Sequence, residues 1–142
     1  MNLTSEQQKF INTHFYEGIP QNELKKSKFK ELTISEELHY LATQHNWDNG
    51  VKVLQWIAET PLCSEATALE LFWLAQPQDF QQYRLDQTLK NESQNEVFTL
   101  LKTFLKNYPD NFYQKTAIQF DPTSSYEDQF IIPDWIFQKT NG

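Results

Sequence analysis

The sequence predicts an all-α fold: a compact bundle of roughly five to seven short helices around a central apolar helical hairpin, with a short irregular or strand-like C-terminal tail. Three observations lead there. Apolar residues recur at intervals of three and four along much of the chain, the period of an α-helix with one buried face. Cap-like spacings recur at Thr4/Gln7, Thr33/Glu36 and Asn91/Gln94, each ahead of an apolar-periodic run. Only three glycines occur in 142 residues, which argues against glycine-rich nucleotide loops and glycine-punctuated β-sandwiches. The length is that of one domain, and no interdomain linker or internal repeat is visible, so residues 1–142 read as a single helical domain.

Thr4 and Gln7 have the spacing of a capping box, and the helix they open carries Phe10, Ile11 and Phe15 on one side. It is expected to end near Gly18, with Pro20 just beyond. "QNELKKSKFKEL" is a short basic amphipathic segment with helical character. Thr33 and Glu36 form a second box, after which Leu38, Leu41, Ala42 and His45 keep the helical period. "HNWDNG", residues 45–50, interrupts that period and reads as a helix–helix corner. Asp48 is placed to accept backbone N–H bonds from the next helix, Trp47 to pack over the junction, and Gly50 to allow close approach.

The next two helices lack a wide polar face. Val51, Val53, Leu54, Trp56, Ile57 and Ala58 surround most of the first. Ser64 caps the second, which carries Ala66, Ala68, Leu69, Leu71, Phe72, Trp73, Leu74 and Ala75. A helix apolar nearly all round is buried on several sides, so this pair, connected through Thr60–Ser64, is the expected central hairpin, and Trp56 and Trp73 are core residues. Pro77 breaks the run, and "QDFQQYRLDQTL" has a weak helical pattern anchored by Phe80, Tyr83 and Leu85. Asn91 opens the clearest amphipathic helix, Glu92 to about Asn107, with Val97, Phe98, Leu101, Phe104, Leu105 and Tyr108 as its stripe. Lys102 and Lys106 lie near its C-terminal end, where the helix dipole favours cations. Then come "TAIQF", a possible short strand, a polar loop "DPTSSYEDQ", and the apolar "FIIPDWIFQKTNG" with Trp135, so a docked tail is expected over about residues 113–142.

Charge is distributed unevenly. The net charge of −7 divides as +2 over residues 1–30, −7 over 31–80 and −2 over 81–142. An acidic block of this kind repels nucleic acid and anionic lipid and attracts basic partners. A solvated acidic face that maintains solubility is the alternative reading. The opening "MNLTSEQQKF" has no basic region followed by an apolar run, and no window approaches the roughly 18 apolar residues of a membrane span, so the expected compartment is the cytosol.

Local chemistry is sparse. One cysteine, Cys63, excludes an intrachain disulfide and any cluster of several thiolates. His39 and His45 are six positions apart, roughly 240° around a helix, and so do not share a face as metal ligands would. No nucleotide-loop, zinc-protease or serine-hydrolase motif is present. The expectation is therefore no catalytic, cofactor or metal site, with an unrecognised site around His45, Asp48 and Cys63 as the enzyme alternative. Cys63 stands just before a helix start, where a lowered thiol pKa is one reading and an inert buried thiol the other.

The run "HYLATQHNWDNG…VLQWIAETPLCSEATALELFWLAQ" resembles a small, largely bacterial domain family known only by a domain-of-unknown-function label. Asn46, Trp47, Asp48, Gly50, Pro61, Cys63, Thr67, Ala68 and Leu69 match its Asn-Trp-Asp-Asp-Gly, Asn-Pro-x-Cys-Asp and Thr-Ala-Leu pattern; Asn49, Thr60 and Ser64 depart from it. The likeness covers about residues 37–80. It implies a helical domain, and by association with small acidic antidotes encoded beside secreted toxins it agrees with the charge reading. The expected function is thus a cytosolic, non-catalytic immunity protein that occludes a toxin domain with a basic surface. A non-inhibitory scaffold or regulatory module is the other binding alternative. The candidate partner-binding residues are Glu36, Glu37, Tyr40, Asp48, Glu59, Glu65 and Glu70, with Trp135 as a further aromatic anchor.

Overall fold

Side-chain caps start three of the helices, as their spacings predict. In the computed structural model, which describes residues 3–15, 19–80, 83–84, 86–108, 111–116 and 118, Thr4 Oγ1 accepts from Gln7 N at 3.1 Å and Gln7 Oε1 from Thr4 N at 2.7 Å. Ser64 Oγ accepts from Thr67 N at 3.0 Å, and Asn91 Oδ1 from Gln94 N at 3.0 Å. The helices are α1 (Ser5–His14), α2 (Lys26–Phe29), α3 (Ser35–Gln44), α4 (Lys52–Ala58), α5 (Glu65–Leu74) and α6 (Glu92–Asn107). Short 3-10 turns cover Gln21–Glu23, Trp47–Asn49 and Pro77–Phe80. The architecture is an all-α bundle, as the sequence predicts, with one isolated parallel bridge between Ser64 and Gln114 among the described residues.

Helix α1 stops at His14, short of the expected Gly18, which lies outside the described residues. Phe15 leaves helical geometry at φ −126°, and its ring meets Phe29 of α2 edge-on at 6.4 Å. Helix α3 begins at Ser35, and the residue that reaches back over its start is Glu37, not Glu36. The Glu37 carboxylate accepts from Thr33 N at 2.9 Å and Ile34 N at 3.3 Å. Two otherwise orphaned N–H groups draw this acid inward.

The corner after α3 is built by Asn46 rather than Asp48. Asn46 Oδ1 accepts from Asp48 N at 3.0 Å, and α4 opens on Val51 with no side-chain cap. Gly50 sits at φ 94°, ψ −179°, a region that a β-carbon effectively closes. That backbone turns the Gly50 carbonyl to His45, whose Nε2 lies 2.6 Å from it. A carbonyl only accepts, so His45 carries its proton on Nε2.

Helices α4 and α5 do not pack principally on each other, as the expected central hairpin would; both are covered instead by the amphipathic helices before and after them. Each makes its principal contacts with α3 and α6, and α1 packs on α3 from outside. Val53, Leu54, Trp56, Ile57 and Ala58 of α4 are buried, as are Ala68, Leu71, Phe72 and Trp73 of α5, so both tryptophans are core. From α6, Phe98, Leu100, Leu101 and Phe104 close the core. Lys102 Nζ stands 4.7 Å from the Phe98 ring centroid. Such a contact contributes about 0.5–1 kcal/mol at an exposed site, against roughly 1.5–3 for burying the ring, so apolar burial dominates the seating of α6.

The helix expected over "QDFQQYRLDQTL" is absent from the described part of that segment, which holds only the 3-10 turn at Pro77–Phe80. Gln76 takes the left-handed conformation at φ 58°, and the chain then follows ring packing instead of its own period. Phe80 stacks on Phe98 at 5.6 Å and Tyr83 lies 6.0 Å from the same ring. Leu89 is buried, with its N–H on Asn95 Oδ1 at 2.9 Å.

The start of the expected tail is docked. Tyr113 is buried and its hydroxyl donates to the Ala58 carbonyl at 2.6 Å, alongside Asn107 Nδ2 at 3.3 Å. Gln114 N donates to Cys63 O at 2.9 Å and Glu65 N to Gln114 O at 2.8 Å. These bonds satisfy the end of α4 and the beginning of α5. Residues 119–142, Trp135 among them, lie outside the described residues.

Gly50→Ala is expected to lower the unfolding free energy by about 1–3 kcal/mol, the usual cost of a β-carbon in this backbone region. Urea unfolding measures the change, and a variant within about 0.3 kcal/mol of wild type would show that the corner relaxes freely.

Candidate functional site

The acidic candidates do not share one environment. Asp48 and Glu59 are exposed, while Glu36, Glu65 and Glu70 are half-buried. None of these five is in an ion pair with Lys or Arg among the described residues, where the pairs are Lys28–Glu31 and Arg84–Asp86. Glu37 differs. It is 8 % exposed and holds the start of α3 through two backbone N–H groups, so it is withdrawn from the candidate surface.

Two of the acids flank the connection from α4 to α5. Glu59 ends α4 and Glu65 begins α5. Partial desolvation, then the nearby Glu65 carboxylate, raise the pKa of the Tyr108 phenol. Burial is the main cause of a larger rise at Tyr113, to which Glu59 adds. Glu65 and Glu59 thus act electrostatically on the phenols of Tyr108 and Tyr113 respectively. A second pair brackets His39, with Glu36 one turn earlier on α3 and Glu70 across on α5 acting on its charge. Asp48 stands apart at the corner.

Aromatic anchors are redistributed. Tyr40 is half-buried, packs against the core and donates its hydroxyl to Asn12 Oδ1 at 3.3 Å, so it is not an open anchor. Tyr108, 37 % exposed at the C-cap of α6, is the aromatic that stands beside an accessible acid. Its stripe position predicts burial. The missed signal is its place at the helix terminus, where the stripe runs past the core.

The residues of the enzyme alternative are engaged separately. His45 bonds the Gly50 carbonyl, and burial lowers its pKa. Cys63 is 0 % exposed, its Sγ donates to Ser64 O at 3.3 Å, and burial pushes its thiol up to about 12. The helix start beside Cys63 accordingly fails to activate it, because desolvation outweighs the dipole. Asp48 is exposed on the 3-10 turn. A buried polar chain exists elsewhere: His39 Nδ1 lies 2.8 Å from Thr67 Oγ1, which lies 2.7 Å from Ser64 Oγ. Both hydroxyls are fully buried, so the chain joins α3 to the α5 cap without offering a nucleophile to solvent.

Among the described residues no group of three or more His, Cys, Asp or Glu side chains is arranged to hold a metal ion. No described helix is long and apolar enough to cross a membrane. Residues 34–109 match a family described as "Domain of unknown function (DUF4274)", a stretch that runs from the start of α3 to the end of α6. No curated protein and no solved structure gives a significant match.

Acid is expected to weaken the fold through its histidines. Burial is the first cause of the lowered pKa at both His39 and His45, so below their ordinary value of 6.5 the unfolded chain binds more protons than the folded one. Their neutral-state stability is present above that value and is lost as pH falls through it. Urea unfolding at pH 7.5 and 5.5 should show lower stability at 5.5, and His39→Gln should reduce the difference. At pH 8 the native Cys63 thiol should alkylate with iodoacetamide at least about a thousandfold more slowly than in urea, given its suppressed thiolate. Mass spectrometry follows the modification, and equal rates would contradict its burial.

Proposed function

The chain belongs to the DUF4274 family, and we propose that it acts as an acidic binding protein, most concretely an immunity protein that neutralises a cognate secreted bacterial toxin by occluding its basic surface. The observation that carries this reading is the accessible, unneutralised acid of residues 31–80. Glu36, Asp48, Glu59, Glu65 and Glu70 all reach solvent, with no Lys or Arg ion pair among the described residues. Carboxylates left without internal cations project their field outward, which accelerates encounter with a basic partner and selects against acidic ones.

Occlusion needs a desolvated anchor as well as charge, because exposed ion pairs contribute little net affinity. Tyr108 beside Glu65 offers that combination: an aromatic ring for contact and a carboxylate for steering. The packed helices beneath it suit a docking mode with little backbone rearrangement. In this reading the acids set approach and register, and the Tyr108 phenol supplies the close contact. The expected compartment is that of the toxin's target, the cytosol of the producing cell.

The test is rescue. The gene directly upstream should encode a larger protein that arrests growth, and co-expression with this chain should restore it. Glu65→Lys with Glu70→Lys should slow association with that protein by about tenfold or more and weaken rescue. Lysine at the first turn of α5 costs only about 0.3–1 kcal/mol through the helix dipole, small beside a typical domain stability of about 5–15 kcal/mol. Circular dichroism confirms that the variant is folded. Undiminished rescue and unchanged association by a folded variant would remove the acidic surface from the mechanism.

A further inference from the structure

A half-open cleft of about 260 Å³ lies between α2 and the end of α4. Buried Phe29 and Trp56 contribute its aromatic lining, with ring centroids 5.6 Å apart, and half-buried Leu62 adds an apolar side. Lys26, Lys30 and Glu59 line it from exposed positions. Lys28 is held by Glu31 at 3.4 Å, but Lys26 and Lys30 form no ion pair among the described residues. Glu59 accepts from Gln55 Nε2 at 3.2 Å. The cleft therefore presents two cations without ion pairs against one carboxylate, a local excess of one positive charge on a chain whose net charge is −7.

Size and charge together select an occupant. Small-molecule pockets usually enclose about 300–1,000 Å³, and this cleft is slightly below that range, close to the room one large aromatic side chain needs. Its apolar wall rewards burial of such a ring, and neighbouring cations favour carboxylates beside it. The negative body of the chain does not cancel this preference. At physiological ionic strength charges are screened over about 8 Å, so the local balance of two ammonium groups against the single Glu59 carboxylate decides the sign.

We propose that the cleft binds one aromatic side chain from an acidic segment of a partner protein, its ring against Phe29 and Trp56 and its flanking carboxylates on Lys26 and Lys30. This goes beyond the reading of the acidic surface and does not depend on it, because it concerns the opposite charge, carried by Lys26 and Lys30 ahead of the family-matched stretch, with Trp56 and Leu62 supplied from within it.

The probe is an acetylated, amidated peptide, Asp-Asp-Phe-Asp-Asp, titrated into the full ¹⁵N-labelled chain. Saturable amide shifts confined to residues 26–32 and 56–62 are expected. Affinity should fall at least about tenfold when the peptide's Phe becomes Ala, and likewise against the Lys26→Glu/Lys30→Glu variant, the loss of one anchor or its charge partners. The peptide with lysines in place of its aspartates should not bind. Absence of saturable shifts, equal affinity for the charge-reversed variant, or equal binding of the basic peptide would each overturn the proposal. So would nuclear Overhauser contacts in the free protein from the chain's own segment 130–137 to Trp56, which would assign the cleft to that segment.

Discussion

The fold follows from one constraint: the apolar side chains of α4 and of the Ala68, Leu71, Phe72 and Trp73 side of α5 must be withdrawn from water, while Leu74 at the end of α5 stays exposed. Their side chains are apolar almost all the way round, so each must be covered from more than one direction. Short helices cannot satisfy that demand by pairing only with each other. Helices α3 and α6 supply the cover, and their principal contacts with both apolar helices make them the two sides of the bundle. Helix α1 and the segment after Pro77 are then drawn in by what remains open, through Phe15 on Phe29 and Phe80 on Phe98.

Where helix ends are drawn into the bundle, their polar groups find partners within it. Glu37 takes the N–H groups ahead of α3, Ser64 and Thr67 secure the start of α5 and reach His39, and Tyr113 caps the Ala58 carbonyl. Each unpaired group of this kind would cost about 1–3 kcal/mol, so these bonds fix where elements begin and end. They also explain why residues with chemical potential on paper are structural in place. Cys63 is sealed beneath the Gln114 bridge, and His45 holds the Gly50 carbonyl.

What is left for recognition is the exterior, and it is divided by charge. Glu36, Glu65 and Glu70 sit on helices that build the core, with Glu59 at the end of α4 and Asp48 at the corner before it. The lysine-rich segment 25–30 runs along one edge, against the end of α4, where Lys26, Lys30 and Glu59 share a cleft. Opposite charges thereby meet without forming an ion pair among the described residues.

Much of this architecture was legible in the residues themselves. The 3.6-residue period defined α3 and above all α6, whose limits at Glu92 and Asn107 follow from the Asn91 cap and the apolar stripe, while α5 was marked by its Ser64 cap and apolar run. Local chemistry marked the Thr4, Ser64 and Asn91 caps, because a side chain and its target N–H are only three residues apart. Acidic character and the absence of local catalytic motifs were equally a matter of composition. Tertiary packing decided the rest. It chose Glu37 over the Glu36 that the capping-box spacing from Thr33 predicts, and so removed one acid from the surface. It replaced a weak helical pattern after Pro77 with ring stacking on Phe98, since aromatic burial outweighs marginal helix propensity. It exposed Tyr108 at the end of a stripe and half-buried Tyr40, because periodicity says which side faces inward but not where the core stops. The juxtaposition of α2 with the end of α4, about thirty residues apart in sequence, likewise exists only once the bundle has closed, as no local interaction links them.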